Sequence, residues 1–97
     1  MNGRLSHDEP ERGQVALRFW ASARAAAGLA ETHVTVEGPV TLAFLVETAG
    51  AGNDRLARIL GTCSVLLADQ PVASQDPASV LVAPGQTVEF LPPFAGG

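Results

Sequence analysis

The sequence predicts an α+β fold: a mixed sheet of about four or five strands packed on one main helix. Two alternating runs near opposite ends of the chain, Val15–Trp20 and Thr87–Leu91, carry the strand period. Between them Leu42, Leu45, Val46 and Ala49 fall on one face at helical spacing. Short β-type runs bounded by Gly and Pro fill the remainder.

Residues 1–13 carry Arg4, Asp8, Glu9, Glu11 and Arg12 around Pro10, with almost nothing to bury, and read as a mobile leader. In the first strand Val15, Leu17 and Phe19 face inward. Ser22 is placed to cap a short helix through Ala27, and Gly28 to stop it. Thr32–Glu37 is a second β-type run closed by Gly38-Pro39. Thr41 is the expected N-cap of the main helix, which Gly50-Ala51-Gly52 breaks. Asn53 or Asp54 then caps a further turn or two that buries Leu56, Ile59 and Leu60, leaves Arg55 and Arg58 wet, and ends at Gly61.

Cys63–Ala68 reads as a third strand, with a turn around Asp69-Gln70-Pro71 and a short return strand at Val72. A loop from Gln75 to Pro84 holds a brief extended piece at Val80–Val82. Pro84-Gly85 suits the centre of a type II turn. Thr87–Leu91 is the last strand, with Val88 and Phe90 inward, and Pro92-Pro93 stops its pairing. A β-grasp roll satisfies this order, its first and last strands side by side at the centre. The expected units are a leader (1–13), a domain (14–91) and an extended tail (92–97).

The chain has 97 residues, enough for one domain with a modest core. Its net charge of −4 argues against nucleic acid or an anionic membrane as partner. All 6 basic residues are arginines, so no side chain here can accept an isopeptide bond. The single Cys63 excludes an internal disulfide, an iron–sulfur cluster held by this chain alone and a cysteine-rich zinc site. No apolar run approaches a membrane span, and the polar start lacks a signal peptide's apolar segment, so a cytoplasmic location is expected.

Chain ends are usually inert and frayed. Here a stiff, extended Pro92-Pro93 base leads into Phe94-Ala95-Gly96-Gly97, six residues that reach at most about 20 Å from the body. A carboxylate is a poor electrophile and must be activated, typically by adenylation with ATP, before a nucleophile attacks it. Gly97 has no Cβ to crowd that attack, and Gly96-Gly97 can thread a narrow channel in a partner enzyme. The reactive group is therefore read as the Gly97 carboxylate, with Gly96 beside it.

The block Gly85–Gly97 resembles the end of the molybdopterin synthase small-subunit family: a turn glycine, an apolar strand, Pro-Pro, an apolar residue, a small residue, then Gly-Gly. Leu17–Gly28 is similar to that family's first strand and helix, including Arg24 and Gly28. The resemblance covers Val15 to Gly97. The chain departs from it at Gly85-Gln86, where Gly-Asp is common, and at Asp69-Gln70-Pro71, where an Asn is frequent. It implies a ubiquitin-like sulfur carrier. A ubiquitin-activating-like adenylyltransferase would use ATP and Mg to adenylate Gly97, and a sulfurtransferase would replace AMP to give a thiocarboxylate. In a heterotetramer with the large synthase subunit, that group would donate sulfur to the cyclic pterin precursor of the molybdenum cofactor. The chain itself would bind no cofactor, and the catalytic side chains would belong to the partner.

Strand parity independently predicts a docking patch. If Leu17 and Phe19 point inward, Arg18 and Trp20 point outward, as do Glu89 and Leu91. Trp20, Leu91 and Phe94, with Val72 at the hairpin and Pro92, Pro93 and Ala95 on the tail, are the expected partner-binding residues. Arg18 and Glu89 are expected to pair. Cys63 reads as a buried structural thiol, and His7 and His33 as solvated surface residues. No nucleophile–base pair or phosphate loop is present. Three other readings use the same chain: a carrier for thiamine thiazole or for cysteine or methionine synthesis, a protein modifier joined to lysines elsewhere, and an interaction domain with an inert end.

Overall fold

Apolar alternation and two glycine breaks generate the architecture of residues 13–93, the span that the computed structural model describes. In chain order the elements are β1 (Gly13–Phe19), α1 (Ala21–Ala27), β2 (Glu31–Val36), β3 (Val40–Thr41), α2 (Leu42–Gly50) and α3 (Asp54–Leu60). They continue with β4 (Ser64–Leu67), β5 (Gln70–Pro71), a 3₁₀ turn (Pro77–Ser79), β6 (Leu81–Val82) and β7 (Thr87–Leu91). Five strands form one sheet in the order β2-β1-β7-β4-β5, and β3 and β6 make a separate ribbon. Strands β1 and β7 are parallel neighbours, with Leu17 opposite Val88 and Phe19 opposite Phe90. The other pairings are antiparallel, so the sheet is mixed, as expected for a β-grasp roll.

The core lies between this sheet and the helices. Val15, Leu17, Val82, Val88 and Phe90 are fully buried, and the rings of Phe19 and Phe90 stack with centroids 5.8 Å apart. Three short helices cover the sheet, at the three places where the sequence predicts a short helix, a main helix and a further turn or two. The Thr41 hydroxyl accepts from the Phe44 N–H at 3.0 Å and starts α2. Asn53 does the same for α3 through Leu56 N–H, also at 3.0 Å, and Gly52 makes the intervening turn at φ +74°. Ser22 is not a cap: α1 begins one residue earlier, and the Trp20 carbonyl accepts from Ala23 and Arg24 N–H. Gly28 ends α1 in the left-handed region, as its position in the sequence predicts.

Three boundaries differ from the sequence reading. Gly13, expected in the leader, is the first residue of β1, opposite Val36. The hairpin loop is Ala68-Asp69, both at positive φ, rather than a turn around Asp69-Gln70-Pro71. That geometry matches the strand twist in a two-residue hairpin, and the Ala68 N–H bonded to the Thr87 carbonyl at 3.0 Å holds it. Val72 is thereby set opposite Val65, to whose carbonyl it donates, and is buried on the helix side. It is not on the open face, because a shift of one residue in the turn reverses strand parity. The rest of the expected leader, and Phe94, Ala95, Gly96 and Gly97, lie outside the described residues.

Candidate docking face at the base of the tail

The last turn fixes where β7 starts and so where the tail leaves. Pro84 and Gly85 form the expected type II turn: Gly85 is at φ +92°, and Gln86 N–H donates to the Ala83 carbonyl at 3.1 Å. Gln86 Oε1 accepts from the Ala83 N–H at 2.7 Å, so the departure at Gly85-Gln86 still supplies a side-chain acceptor that closes the turn. Gly85 N–H reaches back to the Gln14 carbonyl at 2.8 Å, tying the turn to β1. From there β7 runs through the centre of the sheet and ends at Leu91, opposite Ser64. Pro92 is half-buried and Pro93 exposed. Neither carries a backbone N–H to donate to a ladder, and β7 ends at Leu91, just before them.

The open face of the sheet is read directly from the register. One row crosses Arg18, Glu89, Leu66 and Pro71. The next row holds Leu91 and Ser64, and Trp20 follows Phe19 at the corresponding step of β1. Trp20 and Leu91 are thus brought to neighbouring positions at the tail's exit, while Leu66 and Pro71 occupy the hairpin positions expected of Val72.

Trp20 is 41% exposed yet held from two sides. Its Nε1–H donates to Glu89 Oε1 at 3.0 Å, and the Arg18 guanidinium carbon lies 5.2 Å from its ring centroid. The Arg18 contact is a cation–π pair worth about 0.5–1 kcal/mol at such an exposed site. Arg18 and Glu89 do not form the expected ion pair. Arg18 Nε is instead 3.5 Å from Glu31 Oε1, and Glu31 Oε2 is 3.1 Å from His33 Nε2. Glu89 takes the indole N–H on one oxygen, while Arg18 turns to Glu31 on the neighbouring strand. Sequence parity placed Glu89 outward but carried no signal of its bond to Trp20, since the two are far apart in the chain and meet only through parallel pairing.

Cys63 stands just before β4, half-buried, with Sγ 3.3 Å from the Ile59 carbonyl. Burial pushes its thiol up to about 11, which disfavours the nucleophilic thiolate. His33 is exposed, as its strand position implies. Phe44 and Leu81, unnoticed in the sequence, are exposed apolar residues at 45% and 63% near the β3–β6 ribbon. Among the described residues no three His, Cys, Asp or Glu side chains group to hold a metal ion. No described helix is long and apolar enough to cross a membrane.

The sequence model of the ThiS family matches residues 17–97, most of the chain and all of its tail. This chain belongs to the ThiS family. It is a ubiquitin-like sulfur carrier by that membership. Among solved structures, the ThiS-family chain is similar to the HVO 2177 protein of Haloferax volcanii, at 26% identity and TM-score 0.73, covering 90% of this chain and 89% of that one. It is similar to the small archaeal modifier protein SAMP1 of the same organism, at 22% identity and TM-score 0.72, covering 88% and 100%. It also resembles a chain in the complex of subunits 1 and 2 of the molybdopterin-converting factor of Helicobacter pylori, at 21% identity and TM-score 0.60, covering 87% and 99%. The last two likenesses speak to the β-grasp fold. No curated protein matches this ThiS-family chain in sequence.

Proposed function

We propose that this chain is the sulfur-donating small subunit of a molybdopterin synthase, carrying sulfur as a thiocarboxylate on Gly97. The observation that carries the reading is the family match, which extends through Gly96-Gly97. The placement of Trp20 and Leu91 beside the Pro92-Pro93 exit supports it, since a partner gripping that face would meet the base of the tail. Likeness to the H. pylori complex of subunits 1 and 2 favours a large synthase subunit as that partner.

In this scheme the Gly97 carboxylate attacks the α-phosphorus of ATP, with magnesium, on an adenylyltransferase, and pyrophosphate leaves. A sulfur nucleophile delivered by a sulfurtransferase then attacks the acyl carbon and expels AMP. The thiocarboxylate sulfur then bonds to a carbon of the cyclic pterin precursor within the large subunit, and water hydrolyses the resulting thioester, leaving the sulfur on the pterin and a carboxylate on Gly97. Two glycines keep the acyl carbon uncrowded throughout. On this reading the chain works in the cytoplasm beside these enzymes.

Likeness to SAMP1 supports a second reading, a protein modifier joined through the same carboxylate to lysines of other proteins. Thiazole or cysteine and methionine assembly would use the same carrier chemistry with a different acceptor. Intact-mass spectrometry of the chain from its native host tests the proposal: replacement of a terminal oxygen by sulfur adds about 16 Da. Co-purification with a large synthase subunit is the accompanying expectation. An unmodified terminus in the presence of the activating enzyme and ATP would overturn the carrier chemistry. A ladder of heavier conjugates would favour the modifier.

A further inference from the structure

Glu89 is the anomaly of the docking face. It lies in the row between Arg18 and Leu66, one step from Leu91, in the middle of the surface that carries Trp20. It is half-buried even in the free chain. One oxygen accepts the Trp20 indole N–H at 3.0 Å, a neutral donor that leaves the carboxylate's charge in place. Its register neighbour Arg18 is engaged elsewhere, 3.5 Å from Glu31 and stacked over Trp20, and Glu31 is shared with His33. From β4 the neighbour is Leu66, which offers no charge. Among the described residues no cation lies within ion-pair distance of Glu89.

This arrangement suits solvent but not burial. A carboxylate covered by an apolar partner without a counter-charge is strongly unfavourable, whereas one that meets a guanidinium or ammonium forms a short charge-assisted bond. A carboxylate also has acceptor sites beyond the one the indole uses. We infer that Glu89 is the anionic anchor of the docking face: it holds the Trp20 indole in position and, when the face is covered, receives a cationic side chain from the partner's surface. The partner surface that fits is an apolar pocket for the indole with an Arg or Lys at its edge. This inference rests on the docked-carrier reading of the proposed function.

The test is titration calorimetry of the full chain against the large synthase subunit from the same host, repeated across salt concentrations. Glu89→Gln keeps an acceptor for the indole but removes the charge, so Trp20 emission and the melting curve should stay as in the native chain. Its affinity should fall by about 10-fold or more, with a shallower salt dependence. Glu89→Leu should lose affinity and also shift Trp20 emission. Glu89→Gln binding as tightly as the native chain, with the same salt slope, would overturn the inference. So would an Arg18→Met variant that weakens binding as much as Glu89→Gln, with no further loss in the double variant, because Arg18 would then be the cation that turns to Glu89 on docking. Failure of the native chain to bind would instead sink the docked-carrier reading, as would a Trp20→Ala variant that binds normally.

Discussion

Asn53 performs two tasks with one amide, and each is separable by substitution. Its Oδ1 caps α3 through the Leu56 N–H, and its Nδ2 donates to the Ala26 carbonyl in the last turn of α1, both at 3.0 Å. The cap satisfies an orphan donor, and the second bond ties two helices that share no covalent neighbour. Asn53→Ala removes both and should destabilise the domain by about 1–3 kcal/mol, read from urea unfolding. Asn53→Ser keeps a cap acceptor and loses the donor to Ala26 without setting a charged oxygen against that carbonyl, so it should cost clearly less. Equal losses for the two variants would show that the cap contributes nothing. The capping role was legible because Asn follows a glycine break and precedes an amphipathic turn. The bond to Ala26 was not, since nothing local marks where another helix's free carbonyl will stand. Trp20 illustrates the same division: parity fixes its direction, while its grip by Glu89 and Arg18 depends on tertiary register.

Helices α2 and α3 meet at a point where only glycine fits. A Cβ built on Gly50 would lie 2.9 Å from Ala57 Cβ and 3.0 Å from Ala57 Cα, and a backbone atom cannot swing aside. Gly50 is buried as the last residue of α2, and Ala57 is the middle residue of α3. The small pair lets the two helices close over the sheet as Leu45, Leu56 and Leu60 enter the core. Gly50→Ala should therefore lower stability by about 1–3 kcal/mol despite alanine's better helix propensity. Thermal unfolding by circular dichroism measures it, and an unchanged or raised Tm would remove the close-approach argument. At this scale the sequence showed the break but not its consequence. Gly50-Ala51-Gly52 signals the end of a helix, whereas the use of Gly50 as a contact surface appears only once α3 is in place. The hairpin shows the opposite limit. Ala68 at φ +50° is a residue type that carries no left-handed signal, so the turn was expected one residue late and Val72 on the wrong face. The extended piece at Val80–Val82 was legible, but β3 and its pairing with β6 were not, because each strand is two residues long and its partner is distant in sequence.

At the scale of the whole molecule, the described core closes before the tail on which the carrier proposal places the reactive group. Every core residue among those described lies between Val15 and Phe90, and the sheet is completed by β7, whose ladder ends at Leu91. Parallel pairing of β1 with β7 joins the two ends of the domain, so the step that completes the sheet also plants Pro92-Pro93 beside Trp20. Such non-local pairing carries a large loop-closure cost and is secured by the apolar layer of Leu17, Phe19, Val88 and Phe90 beneath it. Every residue of that layer lies between Leu17 and Phe90. A chain ending at Pro93 should thus keep its fold, with Tm shifted by less than about 3 °C. Under the carrier proposal the same truncation should abolish adenylation, read as pyrophosphate release with the activating enzyme and ATP, and with it sulfur transfer. Retained adenylation would place the reactive group elsewhere than Gly97. A large fall in Tm would mean that the tail packs on the core, and the separation of closed core from reactive tip would have to be abandoned.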